Sequence, residues 1–170
     1  FFEFVRQDKS RPSIKAKVPK GTKAPATEVH AGHGGSELFF PFVAEHLPIQ
    51  SFEVFGLSSI CSSYPLTLRL AEEIRKVNSR AKIILGGPQA SVVDVATMHA
   101  FRSIDVIVRG EADDTFPTLL RLLQDDPGWQ SIPGITFRRD NEVVRNSNAP
   151  VVQNLDRLPR PAYDLDLRIK

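Results

Sequence analysis

Lys82-Ile83-Ile84-Leu85-Gly86-Gly87-Pro88 is the stretch that decides the fold of this chain. Three apolar residues, two of them β-branched, run into paired glycines and a proline. That is a short buried strand breaking into a turn. The pattern recurs on either side. Phe52-Glu53-Val54-Phe55-Gly56-Leu57-Ser58 reads as a preceding apolar strand, and Asp105-Val106-Ile107-Val108 as a following one that ends in Arg109-Gly110. Between them lie helical periods. Leu66, Leu70, Ile74 and Val77 repeat at helical spacing over 65–78. A second helix is expected over 91–101, with Val92, Val95, Ala96 and His99 on one side. Asp114 is expected to cap a third helix running to Gln124, with Phe116, Leu119, Leu120 and Leu123 as its apolar stripe. Strands alternating with helices imply an open parallel α/β sheet with right-handed crossovers. Near-continuous apolar strands imply helices covering both faces.

Outward from this centre the chain changes character. Residues 37–47 are apolar and helical in pattern until Pro48. Residues 7–36 carry Pro12, Pro19 and Pro25, four glycines, and six Lys or Arg against two acids, with no period. They read as a basic arm that either meets an acidic or phosphate-bearing partner or is simply solvated. Phe1 to Arg6 reads as a short strand ahead of it. Downstream, 134–139 and 142–146 read as a β-hairpin turning at Asp140-Asn141. Trp129 is placed to staple that hairpin to the last helix. The layout is therefore a strand and basic arm at 1–36, an α/β domain at 37–126, a hairpin extension at 127–150 and a Pro-containing linker at 151–170.

Length and composition bound the function classes. At 170 residues, one domain with an appendage is expected. Hydrophobic residues make up 41% and charged residues 25%, which excludes wholesale disorder. A net charge of +2 gives no ground for nucleic acid or membrane as a partner. No apolar run approaches the roughly 20 residues that span a bilayer, and no signal peptide is visible. One cysteine, Cys61, excludes an internal disulfide and fits a cytoplasmic home. It also excludes an iron–sulfur cluster held by this chain's own thiolates. The chain opens on Phe1-Phe2 rather than Met, as a processed form or a piece of a longer protein would.

In an open α/β sheet the ligand sits outside the carboxyl ends of the strands. Three turns fall there. Residues 58–63 hold four serines, whose hydroxyls either bind a ligand or cap and shape the turn. Gly86-Gly87 lets the backbone pass close to a bulky ligand or simply turn tightly. Glu111, Asp113 and Asp114 lie near a helix N-terminus, where the dipole favours acids. Cys61 faces the crevice or is a small buried thiol. No nicotinamide, nucleotide-triphosphate or α/β-hydrolase motif is present.

In order, Gly56-Leu57-Ser58, Ile83-Ile84-Leu85-Gly86-Gly87-Pro88-Gln89-Ala90-Ser91 and Val108-Arg109-Gly110-Glu111-Ala112-Asp113-Asp114-Thr115 resemble the cobalamin-binding domain of cobalamin-dependent radical SAM enzymes. The resemblance extends over 52–167. It takes in Ile132-Pro133-Gly134-Ile135-Thr136-Phe137-Arg138 as the family's hairpin. Asn154-Leu155-Asp156-Arg157-Leu158-Pro159-Arg160-Pro161-Ala162-Tyr163-Asp164-Leu165 is similar to its linker into the radical SAM barrel. It implies a Rossmann-like (flavodoxin-like) fold. It implies cobalamin held by Ser58, Ser59, Ile60, Ser62, Tyr64, Gly86, Gly87, Pro88, Gln89, Ala90, Gly110 and Glu111. Ser58 would bond the dimethylbenzimidazole tail, and the Gly86-Gly87 backbone would make room for it. S-adenosylmethionine and a [4Fe-4S] cluster would belong to a radical SAM domain, in cis or in trans.

The family pattern is not complete. Gln89 stands where the family often has His, and Ala112 where it often has Gly. The Asp-x-His-x-x-Gly element of methyl-transferring members has only a distorted counterpart at Glu28-Val29-His30-Ala31-Gly32. His30 is thus either a cobalt ligand or a loop histidine. The Cys-x-x-x-Cys-x-x-Cys signature is absent. The expectation is a corrin-holding domain serving methyl transfer or related radical chemistry. The alternatives are a degenerate interaction domain that binds no corrin, or an independent small-molecule enzyme in the same crevice, with Glu111, Asp113 and Asp114 as its acids.

Overall fold

The computed structural model describes residues 2–5, 48–123 and 127–159. The basic arm, the 37–47 helix, His30 and the end of the linker lie outside the described residues. The strands are β1 (Phe2–Val5), β2 (Val54–Ser58), β3 (Lys82–Gly86), β4 (Val106–Val108), β5 (Ile135–Arg139) and β6 (Glu142–Arg145). The helices are α1 (Tyr64–Val77), α2 (Pro88–Val92), α3 (Asp94–Ala100) and α4 (Thr115–Leu122).

The six strands form one sheet in chain order. β2–β3 and β3–β4 pair in parallel, each across a helical connection. β1–β2, β4–β5 and β5–β6 pair antiparallel. The expected Rossmann-like α/β architecture is therefore present, with antiparallel strands flanking its parallel centre. The hairpin does not stand apart: β5 pairs with β4 and extends the sheet. Its turn falls on Asp140 and Asn141, both at positive φ (51° and 81°), which suits the twist of a two-residue hairpin.

Helices cover both faces, as the continuous apolar strands require. Phe55, Leu57, Ile83, Leu85 and Ile107 pack with Leu68, Leu70, Ala71 and Ile74 of α1, Ala90 of α2 and Met98 of α3. Val54, Ile84, Val106, Val108, Ile135 and Phe137 pack instead with Leu119 of α4. Phe116, Leu120 and Leu123 complete that second layer, and the Trp129 ring meets Phe137 edge-on at 5.0 Å. Each fully buried aliphatic or aromatic side chain contributes about 1.5–3 kcal/mol by leaving water.

The structure corrects three expectations. The 91–101 helix is two short helices, broken at Val93. Val92, Val95, Ala96 and His99 face solvent, while Asp94, Thr97 and Met98 are buried. The reason is polar: Asp94 turns inward to charged partners on the hairpin, which rotates the apolar positions outward. Asp114 precedes α4 but makes no side-chain cap; its carboxylate pairs with Arg157 of the linker. Cys61 is exposed rather than a small buried thiol.

The amino ends of the parallel strands are closed by a polar clamp. Arg75 donates to the carbonyls of Ser79, Ala81 and Ser103 and pairs with Asp105 at 2.5 Å. Asp105 also accepts from the Ile83 N–H at 2.7 Å.

Candidate cofactor-binding site

Three turns leave the carboxyl ends of β2, β3 and β4, and hydrogen bonds lock them side by side. Ser58 ends β2, in register with Gly86 at the end of β3, and is exposed. Ser59 is 1% exposed; its N–H and its hydroxyl both donate to the Gly86 carbonyl, at 3.1 and 3.3 Å. Ser63 closes the first turn on itself, accepting from the Ile60 N–H at 3.2 Å. That leaves Ile60 (57% exposed), Cys61 and Ser62 facing outward.

The second turn depends on Gly87, which has φ +96°. A Cβ there would lie 2.3 Å from the Ser59 carbonyl oxygen. Backbone therefore meets backbone between the first two turns, as only glycine permits. Gly86 is looser, since its Cβ would meet only the Val108 oxygen, at 3.7 Å. Ser91 ties the second turn to the third. Its hydroxyl donates to the Gly87 carbonyl at 2.9 Å and accepts from the Gly110 N–H at 3.0 Å. Gly110, at φ +73°, is exposed, and a Cβ there would meet nothing within 4 Å.

These contacts sort the residues expected at the site. Ser58, Ile60, Ser62, Pro88, Gly110 and Glu111 are exposed at this edge, with Gly86 and Gln89 half-buried among them. Ala90 is in the core. Tyr64 donates its hydroxyl to Thr97, whose own proton goes to the Val93 carbonyl, so its hydroxyl joins α1 to α3. Ser59 and Gly87 hold the two turns together.

Behind the third turn lies a charged cluster that the sequence reading missed. Arg109 is 5% exposed. Its guanidinium donates to Asn148 Oδ1 at 2.7 Å and to the carbonyls of Ile135, Asn146 and Ser147. Asp94, 4% exposed, accepts from Thr136 and from Arg145 at 2.8 Å, and lies 3.4 Å from Arg109 Nε. Burial alone would raise the Asp94 pKa; the Thr136 and Arg145 hydrogen bonds and the Arg145 charge outweigh it and hold the carboxyl below its ordinary value. Burial, then the Arg145 charge, pushes the Arg109 pKa down, and Asp94 partly offsets this. Arg109 remains a cation. Asp94 and Arg145 are 51 positions apart in the chain, so no local motif announces the cluster.

A cavity of about 420 Å³ opens beside this cluster, between Gly110-Glu111 and the chain following β6. Among the described residues no group of three or more His, Cys, Asp or Glu is placed to hold a metal ion. Nor, among them, is any helix long and apolar enough to cross a membrane.

Residues 43–120 match the family model of the B12 binding domain. Over that span, 78 of the 170 residues, the chain is similar to B12-binding domains. All three turns fall within the matched span. Among curated relatives, an uncharacterized methyltransferase of Pyrococcus horikoshii is 26% identical over 129 residues, covering 76% of this chain and 28% of that protein. The anaerobic magnesium-protoporphyrin IX monomethyl ester cyclase of a Synechocystis strain is 32% identical over 116 residues, covering 67% and 22%. A cobalamin-dependent radical SAM methyltransferase of Streptomyces tokunonensis is 24% identical over 110 residues, covering 64% and 16%. The chain thus spans less than a third of the length of each of these relatives.

The edge formed by these three turns has room for a broad, flat group. Gly110 leaves open space where a side chain would stand, and Gly86 is nearly as free. Exposed Ile60 and Pro88 offer apolar surface beside the exposed hydroxyls of Ser58 and Ser62. The position beside Gly87 is not open, because the Ser59 backbone fills it.

Proposed function

We propose that this domain binds cobalamin over the carboxyl ends of β2, β3 and β4. It holds the cofactor base-off for a radical SAM domain, in cis or in trans. The observation that carries this reading is that the B12-binding family match takes in all three turns at the carboxyl ends of β2, β3 and β4. The bound cobalamin would supply methyl transfer or related radical chemistry, together with the S-adenosylmethionine and [4Fe-4S] cluster of the partner. This chain's part is binding and orientation. Ser58 donates to the benzimidazole tail, and Gly86 leaves room for it. Ile60 and Pro88 provide the apolar floor, and Gly110 and Glu111 border the far side.

One observation favours a second reading. The filled space beside Gly87 suits a degenerate interaction domain that binds no corrin. The two readings separate in one experiment. The full chain is mixed with hydroxocobalamin, passed over gel filtration, and its visible spectrum recorded. Near-stoichiometric retained corrin with a base-off spectrum, lost in Gly86→Val, supports the cobalamin reading. A folded chain that retains no corrin supports the interaction domain.

A further inference from the structure

The cavity beside the third turn has a lining that the cobalamin reading does not by itself require. One wall is Gly110 and Glu111; the other is Asn148 with Ala149, Pro150 and Val151, and Arg145 lies at its side. Arg109 builds the outer wall. Its hydrogen bonds to the Asn146 and Ser147 carbonyls fix that segment against β4. Its bond to Asn148 Oδ1 orients the side-chain amide, leaving the Asn148 NH2 free of the guanidinium. Ser91 Oγ has its proton on the Gly87 carbonyl and accepts from the Gly110 N–H, so it has no proton left for a ligand and serves as a fixed border.

The remaining polar groups are of mixed kind. Arg145, half exposed with its Nε on Asp94, and the Asn148 NH2 are donors. Glu111 is an exposed carboxylate and accepts. A carboxylate would gain Arg145 but lie against Glu111, and an ammonium would gain Glu111 but lie against Arg145 and Arg109, so neither ion suits both walls. A neutral group with one strong acceptor and two donors satisfies both sides. We propose that this cavity is a carboxamide pocket. The amide oxygen accepts from Arg145 and Asn148, the amide NH2 donates to Glu111, and the methylene stem lies on Ala149-Pro150-Val151. The proposal rests on the cobalamin reading to the extent that the corrin rim, which carries such carboxamide arms, would deliver the group.

The test compares hydroxocobalamin with its monocarboxylates, in each of which one arm is hydrolysed to the acid. One monocarboxylate should bind the full chain about tenfold more weakly or worse, a cost near 1.4 kcal/mol. Glu111→Gln should bring that derivative and hydroxocobalamin to within about threefold of each other, because the carboxylate that disfavours the acid arm is gone. Equal binding of all derivatives, or a loss that persists in Glu111→Gln, overturns the pocket. If hydroxocobalamin itself is not retained, the cobalamin reading fails, and the pocket is judged by a second probe. Propionamide titrated into the chain should shift the Gly110 backbone and Asn148 side-chain amide signals, while propionate should not. No shift, or equal shifts with both, overturns the pocket on its own.

Discussion

A methyl group on Gly87 would stand 2.3 Å from the Ser59 oxygen, at a φ that L-residues rarely adopt. Neither partner atom is a flexible side-chain end, so the first two turns would have to separate. Gly87→Ala should cost about 2–4 kcal/mol in a urea melt, through clash and backbone strain together. Gly86→Ala should cost under about 1 kcal/mol, because its nearest neighbour is 3.7 Å away and its φ is unremarkable. Gly110→Ala lies between, at about 1 kcal/mol, since its φ is positive but the space is open. Equal losses at Gly86 and Gly87 would show that the interlocked turns are not what the glycines serve. The glycine pair was legible as a strand-ending turn. Which of the two is indispensable was not, because the answer lies in Ser59, 28 positions earlier in the chain.

At the scale of elements, the hairpin and α3 are joined through charge. Asp94→Asn would leave Arg109 buried without its counter-charge, at a cost of about 3–5 kcal/mol. The pH dependence follows from the direction of the Asp94 shift. Its folded pKa lies below the ordinary value of 3.8, so its ionised form stabilises the fold fully above the unfolded pKa. That contribution is lost as pH falls below about 3.8 toward the folded pKa. Acid melts followed by circular dichroism should show a wild-type loss in this window that Asp94→Asn lacks. The α4 stripe was legible because Phe116, Leu119, Leu120 and Leu123 keep helical spacing and do pack together. The face of α3 was not legible. Apolar period alone favours Val92 and Val95, yet Val92 is 80% exposed. A buried carboxylate with partners on β5 and β6 overrode the period.

At the scale of the whole molecule, the sheet has a parallel centre and antiparallel flanks, and the hairpin is part of the core. Ile135 and Phe137 are fully buried against Val106, Leu119 and Trp129. Removing residues 127–159 would strip β4 of its antiparallel partner and expose that layer. The shortened chain should aggregate or lose its cooperative melt, as read by light scattering and thermal circular dichroism. A soluble, cooperatively melting product would show that the hairpin is a detachable extension. The linker also returns to the site edge, since Arg157 pairs with Asp114 beside the third turn. The strands run in chain order, so adjacency of their carboxyl ends, rather than a reversal of strand order, brings the three turns together.

Sequence by itself determined the strand–helix alternation, the three turns at the strand ends, the Asp140-Asn141 hairpin and the likeness to corrin-holding domains. These are local signals: apolar period, β-branched runs, and glycine or proline where the chain must turn. Tertiary structure decided which serine binds the neighbouring turn, which glycine admits no side chain, and that Asp94, Arg109, Arg145 and Asn148 form one cluster behind a cavity. Hydrogen bonds and ion pairs between residues dozens of positions apart leave no periodic trace in a chain. They arise only when the sheet sets those positions side by side.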